Sequence, residues 1–215
     1  MPPSSTFNNL PSDKQERILD EALSEFAAVG YARASVNRLV ARLGIAKGSI
    51  FQYFRDKPGL FQQVFDFAVE RVKDHLRSVR AATKGQEVFC RLEQSLTSGL
   101  RLIEKNPRLF QLYLRVVFEG DVPFRGRLLA SIRIFSHDYI MDLLRDGAAA
   151  GELRPDLDLE LAAFVVDATL ERFLVASAVE HMDPGLGLNQ AGAGRAAELA
   201  AGLVATLREG LGGGR

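Results

Sequence analysis

The sequence predicts an all-α protein built from an N-terminal three-helix unit containing a helix-turn-helix and a larger C-terminal helical unit. Three observations predict this. Apolar residues recur at three- and four-residue spacing along most of the chain, and no stretch alternates as a strand would. Helix caps and breakers (Ser, Asp, Gly, Pro) fall between the periodic runs. Between Gly30 and Leu60, two short periodic runs sit either side of one glycine, as two helices at a tight turn do. The boundaries drawn are a flexible arm over 1–10, a helix-turn-helix domain over 11–56, a connecting helix over 57–80 and a second helical domain over 81–215.

The arm, MPPSSTFNNL, carries no Lys or Arg and is expected to be mobile. Ser12 with Gln15 has the spacing of a capping box, and Ile18, Leu19, Ala22, Leu23 and Phe26 carry a first helix to about Gly30. Ser35 is placed to cap a helix whose apolar face is Val36, Leu39, Val40 and Leu43. Gly44 ends that helix, since glycine takes the left-handed conformation at low cost. Ile45 plugs the turn, and the next helix runs from about Ala46 to Phe54. Its buried face is Ile50 and Phe54, and its open face is Lys47, Gly48, Ser49, Gln52 and Tyr53. Asp56 caps the connecting helix, with Pro58 tolerated in its first turn.

This layout is that of a motif which lays its second helix in the DNA major groove. Its charge agrees. The whole chain is balanced, with 27 basic and 27 acidic residues, but residues 31–57 hold six basic residues and one acid, Asp56. Local positive charge favours phosphate, because binding releases counterions. Charge alone would equally suit a solvated basic face; the turn and the aromatic exit add the weight of a DNA-binding domain. Lys47, Ser49 and Gln52 are assigned to base edges or nearby phosphates, with Gly48 where the backbone approaches something closely, either DNA or the preceding helix. Ser35, Arg38, Tyr53 and Lys57 are assigned to the DNA backbone.

Gly30-Tyr31, Ser35-Val36, Leu39, Ile45-Ala46, Gly48, Ile50-Phe51, Tyr53-Phe54, Asp56-Lys57 and Leu60 together resemble the DNA-binding domain of the tetracycline-repressor (TetR) family of bacterial regulators. The resemblance implies an all-α homodimer that binds double-stranded operator DNA and releases it when a small molecule binds. Two positions depart from the family's pattern. Ala46 stands where Ser often caps the reading helix, and Phe51-Gln52 where Tyr-His is frequent. Gln can pair with adenine through two hydrogen bonds, so the operator is not transferable from relatives.

Beyond Gly85 the helical pattern continues. Val88 to Ile103 mark one helix, and Asn106-Pro107 breaks it and starts another through Phe110, Tyr113 and Val117. A third runs from about Phe124 to Ala149, a fourth over about 159–181, and a last one over about 195–211. Residues 182–194, rich in glycine and containing Pro184, read as a flexible loop, and the chain closes on a Gly-rich tail. The 159–181 helix is apolar nearly all round and therefore wants cover on more than one side. Paired with the last helix, it would close a four-helix homodimer interface, as the resemblance also implies. Leu96, Leu100, Phe110, Tyr113, Phe135, Tyr139, Phe164 and Phe173 are candidates to line an effector cavity. Asp167, with Thr169, Arg172 and His137, would orient the ligand, a small apolar or amphipathic molecule.

Other classes find little support. Cys90 is the lone cysteine, which excludes an intrachain disulfide and suits a reducing cytoplasm. The N-terminus lacks an apolar signal core, and Asp167, Glu171 and Arg172 interrupt the most apolar stretch, so no membrane span is expected. The three histidines match no metal-ligand spacing, and no phosphate loop, nucleophile elbow or paired-cysteine motif is present. No metal, cofactor or catalytic site is expected. The reading is a cytoplasmic, ligand-responsive DNA-binding regulator, a repressor. The alternative is a helical ligand-binding or protein-interaction module without DNA binding.

Overall fold

The computed structural model describes residues 3–183 and 185–213; Met1 and Pro2 of the expected arm, Pro184 of the expected loop, and Gly214 and Arg215 of the tail lie outside the described residues. Ten α-helices are described: α1 Ser5–Asn8, α2 Ser12–Arg33, α3 Val36–Leu43, α4 Lys47–Phe54, α5 Lys57–Ala82, α6 Val88–Lys105, α7 Pro107–Phe118, α8 Arg125–Ala149, α9 Leu159–Ala178 and α10 Ala193–Leu211. The all-α expectation holds. One short 3-10 turn, Leu188–Gln190, lies in the segment expected to be a flexible loop, and another, Glu180–Met182, stands where the helix expected over 159–181 was to end, since α9 stops at Ala178. Asp183 organises that segment by accepting from the Leu186 and Leu188 N–H groups.

The chain forms two compact units. The first takes the residues up to Asp74 together with Asn106–Ser131; the second takes His75–Lys105 and the residues from Ile132 onward. This differs from the division expected at residues 57 and 81. α5 and α8 each contribute to both units, and α7 belongs to the N-terminal one. The reason is apolar: Leu109, Leu112 and Val116 put one face of α7 into the core of the first unit, where it packs along α2.

The first unit has an aromatic centre. Phe26 meets Phe61 edge-on at 4.9 Å, and Tyr31 meets the same ring at 5.4 Å. Ser5–Asn8 correct the expectation of a free arm: they form α1, flanked by Ser4 and Asn9, and Phe7 is only 3% exposed. Its ring lies 4.7 Å from that of Phe54, and the Ser4 N–H donates to the Tyr53 carbonyl at 3.0 Å. One buried phenylalanine contributes on the order of 2 kcal/mol, enough to hold a single helical turn down. The expected capping box is also corrected. Pro11 precedes α2 without a side-chain cap, and Gln15 turns back to donate to the Leu10 carbonyl at 2.8 Å.

In the second unit, α6, α8, α9 and α10 share a core. Phe89 and Leu92 meet Leu143 and Leu144 there, with Ala163, Val166 and Val204. Further along, Leu96, Phe173, Ala176, Leu188 and Ala200 form a second cluster. α9 buries Ala162, Ala163, Val166, Phe173, Val175 and Ala176. Its other side is uncovered: Leu161 is 61% exposed and Phe164 69%. On α10, Ala200 and Leu207 face inward, and Gly202, Ala205, Thr206 and Gly210 face out.

Candidate nucleic-acid interface

Local chemistry builds the turn. The Ser35 hydroxyl accepts the Arg38 N–H at 3.4 Å, capping α3 at its start. Gly44, with φ 68° and ψ 32°, ends the helix in the left-handed region. α4 starts at Ala46 without a side-chain cap, as its residue type requires. The Asp56 carboxylate accepts the Gly59 N–H at 2.7 Å and starts α5.

A buried carboxylate fastens α3 to α2. Glu25, 7% exposed, falls on the apolar stripe of α2 beside Ala22 and Phe26. Its Oε1 accepts from the Ser35 N–H at 2.8 Å and from Arg38 Nη2 at 2.6 Å, and its Oε2 accepts from Arg42 Nη1 at 2.9 Å. Burial pushes this carboxyl up, but the hydrogen bonds from Arg38, Ser35 and Arg42 outweigh it and hold the pKa at about 2. Glu21 takes the Nε of Arg42 at 2.9 Å. Two of the six basic residues counted over 31–57 are therefore neutralised by α2. A count along that window missed this because the acids lie upstream; the legible signal was an acid on an apolar helical stripe.

The predicted contact residues separate accordingly. Lys47, Gly48 and Gln52 are exposed on α4, and Ser49 is half-buried. Tyr53 corrects the expected open face: it is 7% exposed, its ring 5.8 Å from that of Phe7. Phe51 takes that place. It is 39% exposed, with Lys47 Nζ 5.8 Å from its ring centre. Sequence reasoning missed it because Tyr53 rather than Phe51 was given the open side; Phe7, whose burial reverses that choice, lies in the segment read as mobile. Arg38 is committed to Glu25 and to the Arg33 carbonyl. Lys57 is half-buried; it donates to the Ala32 carbonyl at 3.1 Å and lies 4.6 Å from the Tyr31 ring. Burial lowers its pKa, against the pull of Asp121 and Glu25.

The outward side of α4 thus presents an ammonium, a bare backbone position, an aromatic ring and a carboxamide, on a helix held by α1 and α3. Residues 18–64 match the model of bacterial regulatory proteins of the tetR family, and residues 86–191 match a tetracyclin repressor-like C-terminal domain. A TetR family transcriptional regulator from Chloroflexus aurantiacus is 30% identical, with a TM-score of 0.71 and 99% of each chain covered. The chain belongs to the TetR family. It is a DNA-binding transcriptional regulator, in a family whose members bind operator DNA and effectors and act as dimers. The fatty acid metabolism regulator protein of Bacillus subtilis is 24% identical over 164 residues, 74% of this chain and 80% of that protein. The transcriptional regulator FadR from Bacillus subtilis, solved in complex with stearoyl-CoA, shares the fold at a TM-score of 0.71 and 16% identity, over 91% of this chain and 98% of that one.

The proposed effector residues of this TetR protein fall in both units. In the second unit, Leu96 and Phe173 are packed in one cluster with Leu100 against it. Tyr139 shares a 2.8 Å hydrogen bond with Ser95, and Phe135 is half-buried. Asp167 pairs with Arg133 at 3.4 Å. Phe164 corrects its assignment to a cavity wall: it stands on the uncovered side of α9, because the inward positions belong to Ala162, Ala163 and Val166. In the first unit, the rings of Phe110 and Tyr113 are 5.4 Å apart. His137 is bound to Glu160 at 2.9 Å, an exposed pair that raises the histidine's pKa. Among the described residues, no helix is long and apolar enough to cross a membrane.

Proposed function

We propose that this protein is a repressor whose two copies join through α9 and α10, and which reads operator DNA with the outward side of α4. The observation that carries the reading is the composition of that side: Lys47, Gly48, Phe51 and Gln52 are exposed together on one eight-residue helix. Gln52 and Ser49 would hydrogen-bond base edges, Lys47 would reach a phosphate, and Phe51 would meet a thymine methyl group. Ser35 and Lys57 would meet the backbone at the flanks, Arg38 would stay with Glu25 and hold α3 in place, and Tyr53 would support the helix from behind. Dimerisation is supported by the apolar outward side of α9, since a helix with two apolar sides is stable in water only when both are covered.

Release would follow binding of an apolar or amphipathic molecule in the C-terminal domain, if effector and DNA favour different conformations. The Bacillus subtilis regulator solved with stearoyl-CoA makes a long-chain acyl-CoA the first effector to try. The test is titration of the purified protein onto the DNA flanking its own gene, with nonspecific competitor and a salt series. Selective, salt-sensitive binding at two chains per site, relieved by acyl-CoA, is expected. Nonselective binding after refolding to strip bound ligand would favour the module without DNA recognition.

A further inference from the structure

α7 lies in the stretch that matches the C-terminal domain model, yet it is built into the N-terminal unit. It meets α2 where that helix breaks. At Gly30 the backbone has φ 76° and ψ 170°, a left-handed value that favours glycine. A helix end leaves its last carbonyls without partners. Arg115 takes two of them: its Nε donates to the Ala27 carbonyl at 3.2 Å and its Nη2 to that of Ala28 at 3.0 Å. Its Nη1 is held by Glu119, one turn on, at 2.5 Å. The Glu119 carboxylate covers Gly30 so closely that a Cβ there would lie 2.5 Å from Oε2. The pair forms one wall of an open groove of about 540 Å³, with Leu114 and Phe118 also lining it. On that side the helices are joined by directional polar bonds, not by a closed apolar seam.

Just past the break, the short segment that leads into α3 is tied to α5 and then back to α2. Tyr31 packs on Phe61, the Ala32 carbonyl takes Lys57, and the Ser35 N–H goes to Glu25 at the start of α3. We propose that the Arg115–Glu119 pair is a positioning latch. It sets the Gly30 joint, and through it the angle at which α3 and α4 are presented to DNA, so that a shift of α7 changes DNA affinity without touching DNA. This rests on the assignment of α4 as the reading helix. Arg115 is a positioning residue with no DNA contact of its own.

The test compares Arg115→Met, Arg115→Lys and Glu119→Gln in the full chain. The DNA is the duplex that the wild-type protein enriches from a randomised library, titrated over a salt series at temperatures where each variant's melting curve shows it folded. Amide exchange at residues 31–36 is followed without DNA. Arg115→Met is expected to weaken operator binding by about threefold to thirtyfold, with an unchanged salt slope and faster exchange at the joint. The Lys variant should fall between it and wild type. Affinity within twofold of wild type, or unchanged exchange, overturns the latch. A slope lower by about one charge also overturns it, by making Arg115 a phosphate contact. A wild-type protein that enriches no sequence would remove the α4 assignment instead, and the exchange result alone would then decide whether the joint is latched.

Discussion

α4 and α9 each leave one side uncovered, and the two sides differ in chemistry. On α4 the outward residues are Lys47, Gly48, Phe51 and Gln52; on α9 they are Leu161, Phe164 and Val165. The first side costs little to leave in water, since its ammonium, carboxamide and backbone groups are solvated. The second side costs free energy in proportion to its apolar area until something covers it. The difference matches the separate roles proposed for the two surfaces. An exposed polar side is compatible with a contact that is made and broken, and an exposed apolar side with one that is made once and kept.

The sharpest way to break this comparison is to give α9 the chemistry of α4. Phe164→Glu places a charge where an interface would desolvate it, and should cost about 2–4 kcal/mol of dimerisation, as truncation of a central aromatic anchor does. Sedimentation velocity should show monomers at concentrations where the wild-type protein is dimeric. A Phe164→Glu protein that stays dimeric would move the interface off α9.

Next in size is the anchoring of the reading head. Glu25→Gln removes the charge that holds Arg38 and Arg42, at about 1–3 kcal/mol. The pH dependence has a definite sign. The folded pKa of about 2 lies below the ordinary 4.5, so the stabilisation is complete above the ordinary value and is lost as the pH falls from there toward 2. Thermal melts through that window should show the wild-type protein losing this increment and the Gln variant keeping its lower, flatter stability. Parallel curves would mean that Glu25 is not what acid undoes.

α3 and α4 were legible in the sequence because their determinants are local: Ser35 and Gly44 bound one helix, and Asp56 starts the helix after the other. The burial of Tyr53 was not legible, since it depends on Phe7, far along the chain in a segment with no periodicity to read. The neutralisation of Arg38 and Arg42 was half legible, as an acid on the stripe of α2. The place of α7 was hidden for another reason. Its pattern of Leu109, Leu112 and Val116 says that one face is buried, but periodicity does not say in which unit. On α9, the run of apolar residues foretold two apolar sides; which of them Phe164 occupies depends on the register against α6 and α8.

Within the α4 side, an effect of similar size, confined to one base pair, separates reading from holding. Gln52→Ala should relax preference at one base pair per half-site by roughly 1–3 kcal/mol, leaving affinity for random DNA unchanged. Library selection with the variant measures this directly. Full discrimination at every position would remove Gln52 from the reading set.

Lys57 gives the smallest effect and the finest distinction. Its ammonium is occupied by the Ala32 carbonyl and the Tyr31 ring, and burial already lowers its pKa. To touch phosphate it must exchange that carbonyl for a phosphate oxygen, so part of the gain offsets the bond given up. Lys57→Ala should weaken binding to all sequences alike, and lower the slope of log affinity against log salt by at most about 0.9. Lys47→Ala, which removes an exposed ammonium that lies against the Phe51 ring, should lose more affinity for a similar change in slope. An unchanged slope for Lys57→Ala, with a lower melting temperature, would mean that the lysine stays on Ala32 and serves the joint beside Gly30, not the DNA.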